Sequence, residues 1–317
     1  MTRSIIHSPM NYTGGKFRIL PCLLDWFPKD IDCFYDLFCG GLNVSLNAES
    51  RSVVANDVNT RLMDIYRLIA SFDTFDELEG RIIRTIKEYG LHDTGKKRQE
   101  CLFDGSDFSV STVSQSGYEN IRNAYNAKKE PLLLLVLVFY SFNNCIRFNT
   151  DFKFNMPIGK SCYNPKNSAE LRIMHSVVKN REFKFTAQSF DQFKVESFNI
   201  GDFVYCDPPY LITDAVYNES NNDESGWSDD DENRLYAFLD DLDSHGIKFG
   251  LSNSVSNNGK TNQILYDWMS KYNVLRPDID YSNSSYQRKN RDSKTDEVYV
   301  TNDWGAVDKR IRQESLF

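Results

Sequence analysis

Short apolar runs separated by polar turns follow one another along most of the chain and predict an alternating order of strands and helices. Residues 31–38, 51–57 and 203–205 are runs of strand length. Residues 58–90 instead repeat apolar positions at helical spacing, and Pro131 opens a run to Phe142 that suits a buried helix. This order predicts an α/β fold with a doubly wound, mostly parallel sheet.

The C-terminal half continues the pattern and adds one exception to it. Residues 183–187, 246–253 and 297–302 read as strands, while residues 229–244 and 260–272 read as helices. The last strand is expected to run antiparallel to one near Val274. Residues 91–117 are polar, contain Gly and Ser and lack a period, so they predict a long loop.

The apolar run that ends at Cys206 stops at the sequence Asp207-Pro208-Pro209-Tyr210. Two prolines cannot continue a strand ladder, so Asp207 is expected at the carboxyl end of its strand, where open α/β sheets bind ligands. Fixed carboxylate and carbonyl oxygens beside an aromatic ring suit a flat molecule with an amino group. The alternative is an ordinary strand exit with a capping Asp.

The first two predicted strands carry the marks of a nucleotide-binding corner. Cys39-Gly40-Gly41 is a tight turn between a strand and a helix, and the second strand ends in Asp57, where an acid commonly binds ribose hydroxyls. The spacing is not GxGxxG, so no dinucleotide fingerprint is present. Upstream, the segment 11–16 (Asn-Tyr-Thr-Gly-Gly-Lys) offers paired glycines and a lysine for an anion, without the spacing of a P-loop.

Charge is distributed unevenly along the 317 residues, whose net charge is -8. Residues 122–194 hold twelve basic and five acidic side chains, whereas residues 219–243 hold ten acidic and one basic. The first segment can bind phosphate despite the acidic total, although a solvated surface is the alternative. Amides, an arginine and aromatics are interleaved from Ser141 to Lys160, and these are side chains that read base edges.

The seven cysteines are scattered without CxxC or Cys/His spacing, which indicates neither a disulfide framework nor a metal site. The N-terminus lacks a signal-peptide pattern, and the run from Leu132 to Tyr140 is too short to cross a bilayer. We therefore expect a cytoplasmic protein with no membrane partner.

In their order along the chain, these segments resemble the Dam-type DNA adenine-N6 methyltransferases (the DPPY, D12 class, group alpha). DPPY together with the upstream DLFCGG and NYTGGK is highly specific. The resemblance implies a Rossmann-like class I methyltransferase fold with a helical insertion. Residues 1–59 and 183–317 would form the S-adenosyl-L-methionine-binding catalytic domain, and residues 60–182 the DNA target-recognition domain.

The same resemblance assigns roles to individual residues. It places the cofactor at Tyr12, Gly14, Lys16, Asp36, Phe38, Gly40, Asp57, Phe190 and Asp207. It places the flipped target adenine at Asp207, Pro208, Pro209 and Tyr210. It places double-stranded DNA at Phe142, Asn143, Arg147, Asn149, Pro157 and Lys160.

The implied activity is site-specific methylation of adenine N6 in duplex DNA by base flipping, at GATC or a related site. Asn11 and Ser161 differ from the residues that GATC readers often carry there. A cognate restriction endonuclease is a possible protein partner. An amino methyltransferase acting on cytosine N4 or RNA, and a catalytically silent DNA-binding relative, are the alternatives; a Rossmann oxidoreductase is disfavoured by the missing GxGxxG.

Overall fold

The computed structural model describes residues 5–12, 15–93, 99–102, 108–212, 226–257, 259–277 and 295–305, with side chains described outside 93–112. The helices are α1 Leu20–Trp26, α2 Asn43–Asn47, α3 Thr60–Ser71, α4 Phe75–Glu88, α5 Gln115–Lys128, α6 Pro131–Tyr140, α7 Pro165–Asn180, α8 Asp229–Ser244 and α9 Gln263–Met269. The strands are β1 Ile31–Asp36, β2 Ser50–Asn56, β3 His92–Asp93, β4 Gln99–Leu102, β5 Phe108–Val113, β6 Glu182–Thr186, β7 Phe203–Cys206, β8 Lys248–Asn257, β9 Lys260–Thr261, β10 Asn273–Leu275 and β11 Asp296–Thr301.

Within these ranges, the main sheet has eight strands in the order β10-β11-β8-β7-β1-β2-β6, with β9 paired to β8. The neighbours β6, β2, β1, β7 and β8 pair in parallel. β11 runs antiparallel to both β8 and β10, as expected for the last strand. The mixed, mostly parallel sheet confirms the predicted fold class.

Successive residues of β7 face two different layers, because side chains alternate across a strand. Phe203 and Tyr205 belong to one buried cluster, which contains residues of α1 to α7. Val204 and Cys206 belong to a second cluster with α8 and α9. The helices therefore cover both faces of the sheet. The first cluster is continuous across residue 60, and the division into two domains stays a prediction.

The prediction of a loop over residues 91–117 is wrong, because β3, β4 and β5 form a small antiparallel sheet there and α5 begins at Gln115. The alternation Phe108-Ser-Val-Ser-Thr-Val113 is a short strand pattern that the surrounding polar residues obscure. Ser114 caps α5 by accepting a hydrogen bond from Gly117 N at 3.2 Å.

The helix predicted for residues 260–272 is also wrong at both ends. Residues 260–261 form β9, and α9 begins only after Asn262, whose side chain accepts from Leu265 N at 3.0 Å. Asn is a strong N-cap, and its capping bond starts the helix at that point.

The cysteine spacing indicated no disulfide framework, but Cys162 is disulfide-bonded in the structure. Cysteine spacing alone does not show which thiols a fold brings together. None of the described helices is long and apolar enough to cross a membrane. The described residues also contain no cluster of three or more His, Cys, Asp or Glu that could hold a metal ion.

Candidate active site

A cavity of about 380 Å³ opens at the carboxyl ends of the parallel strands. The residues that follow β1, β2, β6 and β7 line it, including Leu37 to Gly41, Asp57, Gln188 to Phe190 and Asp207 to Tyr210. β1 lies between β2 and β7. The chain places β2 and β6 on one side of β1, and then crosses over to place β7 and β8 on the other side. The cavity therefore lies at the topological switch point, where α/β sheets bind ligands.

The glycine turn after β1 lines the cavity. Its backbone packs closely against the segment that contains Tyr12. Gly40 has φ +41°, and a Cβ added to it would lie 2.7 Å from Tyr12 Cδ1. Gly40 N donates to Asp57 Oδ2 at 3.0 Å, and its carbonyl accepts from Tyr66 Oη at 2.6 Å. The turn is thus fixed to β2 and α3, and a larger residue would displace the Tyr12 ring.

Two buried carboxyl groups, those of Asp36 and Asp57, line the cavity near this turn. Asp36 Oδ2 accepts from Ser45 Oγ at 2.6 Å, and Asp57 Oδ1 accepts from Asn59 N at 2.9 Å. Burial raises the pKa of Asp36 to about 7, an effect that the Ser45 hydrogen bond opposes and the charges of Asp207 and Asp57 increase. Burial likewise raises the pKa of Asp57 to about 6. A cationic ligand in this cavity would favour their ionised forms.

Asn56 joins the ends of three strands and holds the cavity edge together. Its Nδ2 donates to Leu37 O and to Gln188 O, both at 2.9 Å. Its Oδ1 accepts from Thr186 Oγ1 at 2.9 Å and from Gln188 N at 3.1 Å. The exits of β1, β2 and β6 are therefore positioned by one buried amide.

The turn after β7 brings a carboxylate, an aromatic ring and a lysine together. Lys16 Nζ lies 2.8 Å from Asp207 Oδ1 and 4.6 Å from the centroid of the Tyr210 ring. The Lys16 and Asp207 side chains are only 7% and 17% exposed. A nitrogen that donates hydrogen bonds thus fits between the carboxylate and the ring.

Opposing influences set the protonation of Asp207. Burial raises the pKa of this carboxyl group, and the neighbouring ammonium of Lys16 counteracts that rise. Because Lys16 favours the ionised form, the ion pair keeps an acceptor available at the end of β7.

Aromatic rings form the opposite end of the cavity. Phe38 and Phe190 have ring centroids 5.8 Å apart, and the Trp227 ring lies 5.7 Å from each of them. Phe38 follows β1, Phe190 follows β6, which is the outermost parallel strand, and Trp227 lies in the segment before α8. Flat apolar surfaces here suit a heteroaromatic ring.

The predicted DNA-binding residues lie outside the cavity, on or directly after a hairpin formed by residues 141–158. Isolated bridges pair Ser141 with Ile158 and Phe148 with Phe154. Asn149 stabilises its tip, because Asn149 Oδ1 accepts from Lys153 N at 2.8 Å. Arg147 is exposed and donates through Nε to Asn155 Oδ1 at 2.9 Å. The other predicted DNA contacts are also exposed: Phe142, Asn143, Pro157 and Lys160.

The two residues that depart from GATC readers both contact the start of this hairpin. Asn11 Nδ2 donates to Asn143 O at 2.8 Å, and Ser161 Oγ donates to Asn144 Oδ1 at 2.7 Å. Asn143 and Asn144 both have φ +54°, a left-handed conformation that Asn tolerates better than most residues. These contacts link the segment before Lys16 to the hairpin.

The structure gathers most of the predicted cofactor and base residues in one place. Those that line the cavity are Tyr12, Lys16, Asp36, Phe38, Gly40, Asp57, Phe190, Asp207, Pro208, Pro209 and Tyr210. Gly14 lies outside the described residues. The sequence prediction missed Trp227 and Asp231, which also line the cavity. A tryptophan directly before a helix-capping serine was the available signal, but the acidic run around it resembled solvated surface.

The family model for D12 class N6 adenine-specific DNA methyltransferases matches residues 12–283. The chain belongs to this family. It is 35% identical to the type II methyltransferase M.FokI of Planomicrobium okeanokoites over 303 residues, which are 95% of this chain and 43% of that protein. It is 35% identical to the modification methylase StsI of Streptococcus sanguinis over 305 residues, again 95% of this chain and 43% of the relative.

A more distant similarity reaches a DNA adenine methylase of Escherichia coli, at 24% identity over 213 residues and 66% of each chain. The chain therefore spans less than half the length of the M.FokI and StsI proteins and two thirds of this third relative. All three names are those of methyltransferases or methylases, and the third names adenine in DNA, which agrees with the family.

Proposed function

We propose that this chain transfers a methyl group from S-adenosyl-L-methionine to N6 of adenine in duplex DNA. The supporting observation is the shared cavity: the glycine turn and acids of a nucleotide corner open onto the Asp207 carboxylate and the Tyr210 ring. Because the chain belongs to the D12 class of N6 adenine-specific DNA methyltransferases, we assign adenine N6 methylation to this geometry. The cofactor, the target base and the DNA sequence are parts of the proposal.

The residues of the cavity fit S-adenosyl-L-methionine, which when bound supplies a methyl group on a positively charged sulfur. Tyr12 Oη is buried and has no hydrogen-bond partner among the described residues, so a polar ligand atom can satisfy it. Side chains at Gly40 and Gly41 would collide with Tyr12 Cδ1 and Met10 O, which keeps the cradle open. Asp57 would accept from the ribose hydroxyls, and Lys16 would pair with the carboxylate.

Asp207 and Pro208 would activate the target amine. The N6 amine of adenine is a weak nucleophile because its lone pair is delocalised into the ring. Hydrogen bonds from N6–H to the Asp207 carboxylate and the Pro208 carbonyl would return electron density to the nitrogen and stabilise its developing positive charge. Preorganised groups of this kind contribute roughly 3–4 kcal/mol each. No covalent enzyme intermediate is required.

Entry of the base requires Lys16 to move. Its ammonium lies on the Asp207 carboxylate and over the Tyr210 ring, the same two groups that would hold an adenine. The incoming base would replace one N–H donor by another, so the carboxylate would keep a partner throughout. The Lys16 ammonium would become available to an anionic group of the cofactor.

The 141–158 hairpin would contact the DNA. Phe142 is 50% exposed at the base of the hairpin, where an aromatic ring can fill the gap left by a flipped base. Arg147, Lys153 and Lys160 are exposed cations suited to phosphates or base edges. We propose GATC or a related sequence as the target. The contacts of Asn11 and Ser161 with the hairpin make these two positions candidates for any difference from GATC.

The test measures transfer of a labelled methyl group to duplex DNA, followed by digestion to nucleosides. We expect the label in N6-methyl-2′-deoxyadenosine for the unmodified chain. Asp207→Ala should reduce transfer by about a hundredfold or more, because a preorganised acceptor is lost, while DNA binding stays within a few-fold. Asp73→Asn is the matched control, since this carboxylate is 92% exposed and remote from the cavity. Full activity of the Asp207→Ala chain would contradict the mechanism.

The same digestion separates the remaining candidates. Label in N4-methyl-2′-deoxycytidine, or in RNA when RNA is offered in place of DNA, would indicate another amino substrate for the same turn. DNA binding without any transfer would indicate a silent relative. Relatives named as modification methylases favour a restriction-modification setting, so a cognate restriction endonuclease is the partner that we propose to look for.

A further inference from the structure

We propose that Trp227 forms a wall of the subsite for the cofactor's adenine ring, and that the buried carboxylate of Glu232 is the positioning residue that holds it there. This assignment rests on the proposed function. It adds two residues that neither the DPPY turn nor the glycine corner includes.

The placement of Trp227 follows from the order of strands around the cavity. The cavity wall follows β7 at Asp207, β2 at Asp57 and β6 at Ser189 and Phe190. These strands lie side by side in the order β7-β1-β2-β6. Asp207, where the methyl group would be transferred, and Phe190 are therefore at opposite ends of the cavity. If Asp57 binds the ribose, the purine lies beyond it, toward Phe190 and Trp227.

The Trp227 ring offers apolar surface to a purine because its polar atom is already bound. Its ring makes an edge contact with Phe38, at an interplanar angle of 80° and a centroid distance of 5.7 Å. Its Nε1 donates to Glu232 Oε2 at 2.5 Å, on the side of α8. Half-buried and lining the cavity, the ring is left with its π surface available to a ligand.

The Glu232 side chain is held in place by burial and by several hydrogen bonds. It is completely buried, and its Oε1 accepts from Tyr236 Oη at 2.5 Å, Asn262 Nδ2 at 2.6 Å and Asn253 Nδ2 at 3.0 Å. These donors come from α8, the start of α9 and β8. With Trp227, four donors occupy the roughly four acceptor sites that a carboxylate has. The orientation of the indole is thus coupled to three elements of the sheet and its covering layer.

This arrangement makes Glu232→Gln an informative isosteric change. Three donors converge on Oε1, so the amide oxygen of Gln is expected there. The amide NH2 then replaces Oε2 and faces the Nε1–H of Trp227, donor against donor. The indole loses its anchor while the side-chain volume at position 232 is retained.

The chain contains a matched control for this pair. Trp268 Nε1 donates to Asp240 Oδ1 at 2.7 Å, and Tyr272 Oη donates to the same oxygen at 2.8 Å. Trp268 does not line the cavity. Asp240→Asn is therefore an acid-to-amide change of the same size beside a tryptophan that does not line the cavity. Its amide oxygen is expected to keep Trp268 and Tyr272, while its NH2 replaces Oδ2, which accepts from Lys271.

The experiment measures the affinity of the full chain for S-adenosylhomocysteine and for adenosine by calorimetry. We expect Trp227→Ala to weaken both ligands by about tenfold, the effect of losing one stacking contact. Glu232→Gln should weaken both by at least about threefold, and Asp240→Asn by less than about twofold. Trp227→Phe, which lacks the N–H, should make Glu232→Gln nearly neutral when the two are combined. Ligand-dependent quenching of tryptophan emission should disappear in Trp227→Phe and persist in Trp268→Phe.

The outcomes separate this assignment from the proposed function. If the unmodified chain does not bind S-adenosylhomocysteine, the proposed function fails and the assignment fails with it. If the unmodified chain binds, and folded Trp227→Ala keeps the same affinity, only the assignment is overturned. Should Glu232→Gln fail to fold in a thermal melt, the Trp227→Ala and Trp227→Phe affinities decide the role of the ring. Equal losses from Glu232→Gln with and without Trp227→Phe would overturn the positioning role.

Discussion

At the scale of the residue, Lys16 and Asp207 illustrate how one ion pair serves both the resting and the reacting site. Burial raises the pKa of Asp207, and the charge of Lys16 counteracts that rise. The proposed reaction needs the ionised carboxylate as an acceptor for N6–H. Lys16 therefore keeps Asp207 usable before the base arrives, in addition to any contact with the cofactor.

We predict that Lys16→Gln moves the acid limb of the methyl-transfer pH profile to higher pH. Without the ammonium, the effect of burial is no longer opposed by Lys16, so the pKa of Asp207 rises further. A larger fraction of the molecules then carries a protonated Asp207 at a given pH. Initial rates at saturating cofactor, measured from pH 5 to pH 9, give the limb. Lys166→Gln serves as the control because its ammonium is exposed and pairs with Glu170. An acid limb that stays in place or moves to lower pH would refute this role.

At the scale of the element, the glycine turn between β1 and α2 is shaped by contacts that local sequence does not contain. Gly40 approaches Tyr12, which comes from a segment 28 positions earlier in the chain. Its positive φ and its two hydrogen bonds, to Asp57 and from Tyr66, fix the turn against β2 and α3. The turn therefore sets the shape of the cofactor cradle.

Gly40→Ala is predicted to lower the free energy of unfolding by about 1–3 kcal/mol and to weaken S-adenosylhomocysteine binding. The added methyl group would meet Tyr12 Cδ1 at 2.7 Å in a backbone conformation that disfavours alanine. Gly80→Ala is the matched control, because a Cβ there meets nothing within 4 Å. Gly80 lies inside α4, so this change should stabilise the chain by about 0.5–1 kcal/mol. Urea unfolding and calorimetry measure both effects, and equal behaviour of the two variants would contradict this account of the turn.

The sequence predicts the elements whose signals are local. The apolar run before Asp207 and its two prolines define β7 and the turn after it, and the acid after β2 marks the nucleotide corner. The strands over residues 99–113 are missed because short alternating patterns are weak among polar neighbours. The pairing of Lys16 with Asp207, 191 positions apart, depends on the tertiary fold, and spacing in the sequence carries no information about it. The bond between Trp227 and Glu232 spans only five positions, but the bonds of Glu232 to Asn253 and Asn262 depend on the tertiary fold.

At the scale of the whole molecule, the cavity brings together three carboxyl groups whose pKa values burial raises. The pKa of Asp36 is raised to about 7 and that of Asp57 to about 6, from an ordinary value of 3.8. The pKa of Asp207 is raised as well. These raised pKa values should show in the pH dependence of stability, and a cationic cofactor would favour the ionised forms.

We predict that the free energy of unfolding of the ligand-free chain falls relative to that of Asp36→Asn as the pH rises from 4 to 8. The folded-state pKa of Asp36 lies above its unfolded value, so its stabilising contribution is complete below about pH 4 and is lost as the pH rises through about 7. Asn retains an oxygen that can accept from Ser45 Oγ but cannot ionise. The difference should reach a few kcal/mol, at about 1.4 kcal/mol per pKa unit.

Urea unfolding at pH 5, 6, 7 and 8 in constant salt measures this difference, with Asp73→Asn as a control whose carboxylate is exposed. A gap between Asp36→Asn and the unmodified chain that does not grow with pH would show that Asp36 is ionised in the folded state at all these values.

The central claim is that the turn after β7 holds an adenine so that its N6 amine receives a methyl group. Sequencing of modified bases in the DNA of cells that express this chain tests it most directly. The account predicts N6-methyladenine at one short sequence motif, and no such modification in cells that express the Asp207→Ala chain. N4-methylcytosine at a motif, or unmodified DNA in cells that contain the folded chain, would contradict it.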